Sequence, residues 1–290
     1  MTKLKEVHAE FINKLKEDGK ASSTIIAYNK DIEQLVESFT GLGVNSPEKA
    51  ELQHLVQFVS GLSDIGLTPK TISRKINATK TFFKYLTEKG HIPADVSEGL
   101  KHPKIETKPP RILSKMEYRA LRDTARKDVR TFTMIEVLLQ TGISISEISL
   151  MKIDHINFDK QELYVPARES KGGRTIPLNS AVIEALKTYI EKHRKTIKAD
   201  APHVFITKTG NKILVRNIRS TIDRYFDLSG IIDARVNNLR HTFIAHHLSQ
   251  GVSLQTVSKI VGHKRISTTE KYLDYIEKET EKEKAELGVL

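Results

Sequence analysis

The chain has 290 residues and no cysteine, which excludes disulfides, a thiolate nucleophile and cysteine-based zinc sites. A composition of 38% hydrophobic and 29% charged residues fits a soluble globular protein long enough for two domains with cores of their own, and no window approaches the roughly 18 apolar residues of a membrane helix. The net charge of +11 lies late in the chain, with 16 Lys and Arg against 14 Asp and Glu in residues 1–110 and 31 against 22 in residues 111–290, so a polyanionic partner is expected for the second part.

The opening MTKLKEVHAEF lacks the apolar core of a signal peptide, and the cytoplasm is the expected compartment. Residues 4–17 place Leu4, Val7, Phe11, Ile12 and Leu15 on one face at three-to-four spacing, predicting a helix. A second helix is expected over 24–39, behind the capping run Ser22-Ser23-Thr24. A third is expected over 47–62, where Ser46-Pro47 puts proline in the first turn. A fourth runs from Thr68-Pro69 to about Lys89 and stops at Gly90, with Ile76, Phe82, Phe83 and Leu86 inward. Residues 1–100 thus read as a small helical bundle. The stretch KHPKIETKPPRI, residues 101–112, is rich in proline and charge without periodicity. It reads as a linker to a second domain over 113–290.

Two helices, about 115–125 and 130–141, lead into LLQTGISISEISL at 138–150. There Ser144 and Glu147 have the spacing of a capping box, in which hydroxyl and carboxylate satisfy the free N–H groups of a helix start. Residues 162–166 and 174–178 are short β-type runs around ARESKGG and predict a hairpin. Residues 203–207 are a candidate third strand. The remainder reads as helices near 180–195, 212–227, 238–250, 253–260 and 266–276, before the charged tail EKETEKEKAELGVL. The expected fold is mainly α with a small antiparallel β-sheet.

Three segments of the second domain combine basic or nucleophilic side chains with local structure. In SKGGRTIPL, Lys171 lies on the hairpin turn, where a lysine is ordinarily solvated. In Asn237-Asn238-Leu239-Arg240-His241, an arginine near a positive helix end suits a phosphate held by two parallel hydrogen bonds, though a surface salt bridge suits it equally. His241, His246 and His247 lack the i, i+4 pair with a glutamate that a helical zinc site uses, so no metal and no other cofactor is expected. In VGHKRISTTEKYLDY, Gly262-His263 ends one helix, Ser267-Thr268-Thr269 caps the next, and Tyr272 and Tyr275 follow. Each segment alone is compatible with ordinary packing.

Together the segments resemble the tyrosine recombinase (phage integrase) family over nearly the whole chain. The resemblance rests on GHKRISTTEKY, LRHTFIAHHL and SKGGRTIPL, and on TPKTISRKINATKTFFKYLTEKG and SSTIIAYNKDIEQL, which are close to the short Xer-type members. It implies a two-domain, C-shaped clamp on double-stranded DNA, made of a helical core-binding, SAM-like domain (1–100) and an α+β catalytic domain (113–290). By this resemblance Tyr272 attacks the scissile phosphate to leave a 3′-phosphotyrosyl link and a free 5′-hydroxyl, with Tyr275 as the competing nucleophile. Lys171 is then the general acid for the leaving group, and Arg240 and His263 hold the phosphate.

Two family positions differ here. The family's Thr-Gly-x-Arg-x-x-Glu reads TGISISE, with Ser144 at the first arginine, and its His-x-x-Arg reads Asn237-Asn238-Leu239-Arg240. A serine cannot neutralise charge building on phosphorus, and losing a preorganised donor at a developing oxyanion costs about 2.7–4 kcal/mol. Asn237 can donate to phosphate but cannot shuttle a proton near neutral pH, and Arg235 is a candidate substitute. Two readings therefore stand: a site-specific recombinase slowed by or adapted to its substitutions, and a DNA-binding accessory protein that has lost catalysis. Thr71, Arg74, Lys75, Arg216 and Arg219 are candidate DNA contacts. Leu287, Val289 and Leu290 read equally as a frayed tail or, by the resemblance, as the family's terminal segment that docks on a neighbouring protomer, implying a homotetramer on two DNA sites, or assembly with a partner recombinase, in the nucleoid.

Overall fold

The computed structural model describes residues 3–106, 109–168, 172–195, 201–274 and 276. Backbone contacts divide the chain into two compact units, residues 1–107 and 108–290.

The first unit is built from helices α1 (Leu4–Glu17), α2 (Ser22–Gly41), α3 (Leu52–Asp64) and α4 (Pro69–Glu88). The three-to-four spacing of α1 buries Leu4, Val7, Phe11 and Leu15. Those side chains join Phe39, Leu55, Phe82, Phe83 and Leu86 in one apolar cluster, where Phe11 and Phe82 meet edge to face with ring centres 5.2 Å apart. Pro69 opens α4, and the Thr68 hydroxyl accepts the Thr71 N–H at 3.3 Å. Two expected starts are corrected. Ser22, Ser23 and Thr24 lie inside α2, whose preceding residue Ala21 has no side-chain acceptor to offer. The third predicted helix is broken into a 3-10 turn at Pro47–Lys49 and α3, because Ala50 turns extended and Glu51 caps a new start.

The second unit carries α5 (Lys115–Ala125), α6 (Val129–Thr141), α7 (Ile145–Leu150), α8 (Ser180–Thr188), α9 (Val215–Leu228), α10 (Asn237–Ser249), α11 (Leu254–Val261) and the short α12 (Ser267–Glu270). Helix α6 is buried nearly all round, from Thr131 to Thr141, as expected of a helix enclosed by others. A three-stranded antiparallel sheet runs in the order β1 (Ile156–Asn157), β2 (Glu162–Val165), β3 (Arg174–Pro177). Leu163 is paired with Ile176 in the hairpin as expected.

The third strand is β1, not residues 203–207. Val204, Phe205 and Ile206 are buried, so the run is as apolar as a strand. Its backbone bonds are split between two neighbours, Val204 N–H to the Met151 carbonyl and Ile213 N–H to the Phe205 carbonyl, leaving only isolated bridges. The last predicted helix is interrupted: α12 stops at Glu270, Lys271 and Tyr272 form a turn, and helical backbone resumes at Leu273 and Asp274. Ser267 starts α12 behind Ile266, which has no capping side chain. Among the described residues no helix is long and apolar enough to cross a membrane.

Candidate functional site

The site is organised by two left-handed glycines. Gly142 ends α6 at φ 64°, and a Cβ there would enter the ring of Phe243 on α10. Both the turn and the helix contact therefore require glycine. The turn aims the Gly142 carbonyl at α10, where it accepts Arg240 Nη1 at 2.5 Å. Gly262 ends α11 at φ 71°. A Cβ there would lie 3.0 Å from the guanidinium carbon of Arg174.

Between these turns lies Glu147. Ser144 caps α7 as its spacing predicts: its N–H reaches Glu147 Oε2 at 2.7 Å, its hydroxyl donates to the same oxygen at 2.9 Å, and its Oγ accepts the Glu147 N–H at 3.4 Å. The other carboxylate oxygen accepts Arg174 Nη1 at 2.8 Å. Burial opposes ionisation of Glu147. The hydrogen bonds from Arg174 and Ser144, with the Arg174 charge, outweigh it and hold the carboxyl down at about 2. Arg240 Nη1 lies 4.0 Å from the same carboxylate.

The two guanidinium groups are anchored side by side on the end of α11. Arg174 Nε donates to the Ile260 carbonyl at 2.6 Å, and Arg240 Nη2 to the Val261 carbonyl at 2.6 Å. Burial lowers the pKa of Arg240; Glu147 opposes that shift and the like charge of Arg174 adds to it. With one carboxylate between two guanidiniums, the cluster keeps an excess positive charge. The Arg174 side chain is only 7% exposed, and its Nη2 is buried with no hydrogen-bond partner among the described residues. Leaving a charged donor in that state costs more than the about 1–3 kcal/mol of a neutral one.

His263 follows Gly262, and its Nδ1 is 2.8 Å from the Thr269 hydroxyl on α12, which fixes the ring. Three residues on, Tyr272 is 5% exposed and packs with Phe243, Ile244, Leu248, Val257 and Val261. Its hydroxyl lies 2.5 Å from His241 Nδ1. Burial pushes the Tyr272 phenol up to about 12, against the opposing charge of Arg240. Burial and Arg240 together lower the pKa of His241, so the imidazole is neutral near pH 7 and Nδ1 can accept the phenol proton.

The structure thus brings together Ser144, Arg240, His263 and Tyr272. Asn237 begins α10 and is exposed, while its neighbour Asn238 is buried, bonding the Arg235 N–H and the Arg111 carbonyl. Arg235 is exposed and turns to the Ala234 carbonyl at 3.4 Å, so it does not join the Glu147 cluster. Lys171, Tyr275, Leu287, Val289 and Leu290 lie outside the described residues. On α4, Thr71 is half-buried and Arg74 exposed, but Lys75 is buried against Asp31 at 2.9 Å and also meets Gln34. That ammonium is committed inside the unit, and Arg74 shares the same aspartate. On α9, Arg216 and Arg219 are both exposed.

Sequence reasoning missed Arg174 and treated His241 only as a metal candidate. A signal for the first was present. In a strand, alternate residues face one side, so Arg174 shares the side of Ile176, which is 1% exposed. For the second, His241 stands four residues after Asn237, one helical turn along the same face.

Residues 111–279 match the model of the phage integrase family, and residues 9–90 match its N-terminal SAM-like domain. A putative tyrosine recombinase of Caldanaerobacter subterraneus is 30% identical over 89% of this chain and 89% of its own length. The tyrosine recombinase XerC of Bacillus subtilis is 29% identical over 86% of this chain and 84% of its own. Among solved structures, a Tn1549 transposon integrase in complex with transposon right end DNA is similar in fold, with a TM-score of 0.78 at 18% identity over 97% of this chain and 99% of the other. A lambda integrase dimer on a core site gives 0.76 at 16% identity, over 92% and 97%. With more than half of its residues inside the catalytic-domain match, the chain belongs to the phage integrase family.

Proposed function

We propose that this protein is a site-specific DNA recombinase that cleaves and rejoins strands through Tyr272. The observation that carries this reading is the convergence of Arg240, His263 and Tyr272 on the turn after α11, with the phenol on His241. The Tyr272 oxygen attacks phosphorus while its proton passes to His241. A tyrosine–phosphorus bond forms, the bond from phosphorus to the 5′ oxygen breaks, and Lys171 gives that oxygen its proton. Arg240 and His263 hold the non-bridging oxygens, and Asn237 at the start of α10 donates an amide hydrogen to the same phosphate. Phosphodiester energy is kept in the covalent link, so the 5′-hydroxyl of another strand reverses the step without metal or nucleotide.

In this reading residues 1–100 form a core-binding domain, 101–112 a linker, and 113–290 the catalytic domain, both acting on the same duplex. Thr71, Arg74, Arg216 and Arg219 are offered for backbone contacts, and such contacts make binding fall steeply with salt. Relatives of similar fold include a lambda integrase tetramer bound to a Holliday junction. Tetramer assembly through the last residues is therefore part of the proposal, as is association with the nucleoid in the cytoplasm. Removing residues after about 280 is expected to abolish cooperative assembly and spare single-site binding.

The test begins by selecting a binding site from random duplexes with the full chain. A duplex of that site, nicked near the crossover, is then incubated with the protein. A covalent adduct that disappears in Tyr272→Phe supports the recombinase. The Ser144 hydroxyl, neutral and spent on Glu147, favours the second reading, a recombinase-like binding protein without catalysis. Site-specific, salt-dependent binding with no adduct until Ser144→Arg and Asn237→His are introduced decides for that second reading.

A further inference from the structure

Resting on the recombinase reading above, we propose that Arg174 supplies the second cation of the phosphate clamp, the charge that Ser144 does not provide. Four observations place it. Arg174 and Arg240 donate to the carbonyls of adjacent residues, Ile260 and Val261. They flank the same carboxylate, Glu147. Arg174 packs against Gly262, whose lack of a Cβ admits the guanidinium one residue before His263. Its Nη2 is buried and has no acceptor among the described residues, although its Nε and Nη1 are fully oriented by Ile260 and Glu147.

A rigidly held guanidinium with one amino group unspent is suited to a non-bridging phosphate oxygen, because the fork geometry is already fixed. A structural arginine needs only the two bonds to Ile260 and Glu147. The amino group left over, on a side chain that flanks Glu147 together with Arg240 and packs against Gly262, points to an anion that belongs to the reaction. The charge of the site is thus delivered from strand β3 rather than from the start of α7. Ser144 is free to be the helix cap it is observed to be, and by bonding Glu147 it keeps that carboxylate aimed at Arg174.

The assay uses the full chain and its selected site as a nicked duplex carrying either a normal phosphodiester or a neutral methylphosphonate, scanned one position at a time. On the phosphodiester, Arg174→Gln is expected to slow adduct formation about 10²–10³-fold, the scale for loss of one preorganised donor. On the methylphosphonate, which has no charge to neutralise, Arg174→Gln and the parent should react within a few-fold of one another. Ser144→Arg in the Arg174→Gln background should restore much of the phosphodiester rate. A merely structural arginine would instead lose both substrates alike, and that outcome, or an unchanged phosphodiester rate, overturns the proposal. If the parent forms no adduct on either duplex, the recombinase reading fails separately. The clamp is then judged by binding: the parent must hold the phosphodiester duplex more tightly than the methylphosphonate one. An Arg174→Gln variant that retains this preference overturns the clamp.

Discussion

Glu147→Gln tests whether this carboxylate is the keystone of the charged cluster. In the folded protein its carboxyl is held down at about 2, whereas the ordinary value is 4.5. Each pKa unit is worth about 1.36 kcal/mol, so the ionised form stabilises the fold by about 3 kcal/mol. The side chain is 12% exposed, so solvent screening removes little of this. The sign follows from the direction of the shift. A depressed folded value gives stability that is fully present above pH 4.5 and is lost as pH falls toward 2, where the folded carboxylate takes up its proton. A glutamine accepts a hydrogen bond but carries no charge for Arg174 and Arg240. At pH 7 the variant should therefore be less stable by about 3 kcal/mol, a fall in Tm of about 6–12 °C for a unit of this size. The gap should close steadily between pH 4.5 and 2. Calorimetry of parent and variant at pH 7, 5, 4 and 3 measures it, following the transition of residues 108–290. A gap that stays constant across this range, or one below about 0.5 kcal/mol at pH 7, would refute the charge argument and leave only a lost hydrogen bond.

Tyrosinate absorbance should include a phenol titrating near 12, matching the buried Tyr272, and Tyr272→Phe should remove that component. Because that folded value is raised above the ordinary 10.0, the associated stability is present below pH 10 and declines as pH rises to 12. Asp31→Asn strands the buried ammonium of Lys75 and should cost about 3–5 kcal/mol in denaturant unfolding, whereas Asp31→Leu with Lys75→Met should cost much less. Gly142→Ala meets both the left-handed backbone and the Phe243 ring. It should cost about 2–5 kcal/mol and, by moving the Gly142 carbonyl, slow adduct formation in the same preparation. Adduct formation by the parent should be unchanged in a chelator such as EDTA, since every step assigned above uses side chains alone; a loss restored by a divalent cation would refute that.

Helices with one apolar stripe were legible because three-to-four spacing fixes both the element and its buried face, as in α1. Helix α6 was also found, although burial on nearly every side left its packing partners open. Residues 203–207 misled because an apolar run reports burial and not which backbone groups pair. Met151 and Ile213, far apart in sequence, settle that. Lys75 misled in the opposite sense. A lysine on a basic helix reads as a surface cation, and only the position of Asp31 on α2, 44 residues earlier, turns it inward. The site itself divides along the same line. Arg240, His263 and Tyr272, the proposed site residues, sit in local motifs that the sequence singles out. The contacts of Arg174 with Ile260 and of His241 with Tyr272 span 86 and 31 residues, and no local pattern announces them.

In the proposed reading, the two departures expected from the family resemblance have a common physical logic. At position 237 the imidazole is missing, and His241, one turn further along α10, touches the phenol. At position 144 the guanidinium is missing, and Arg174 enters the same cluster from β3 through Glu147. In each case the chemical group is present at the site while its sequence position has moved. A transition state senses where charge and protons are, not which element carries them, so sequence comparison position by position overstates the deficit. Restoring Ser144→Arg should then give the parent only a small gain, less than about tenfold, and could crowd Arg174. The same substitution in Arg174→Gln should give a large gain. That inequality is the difference between a relocated active site and a damaged one: equal gains in both backgrounds would mean that Arg174 contributes nothing to the clamp and that Ser144 is simply a loss.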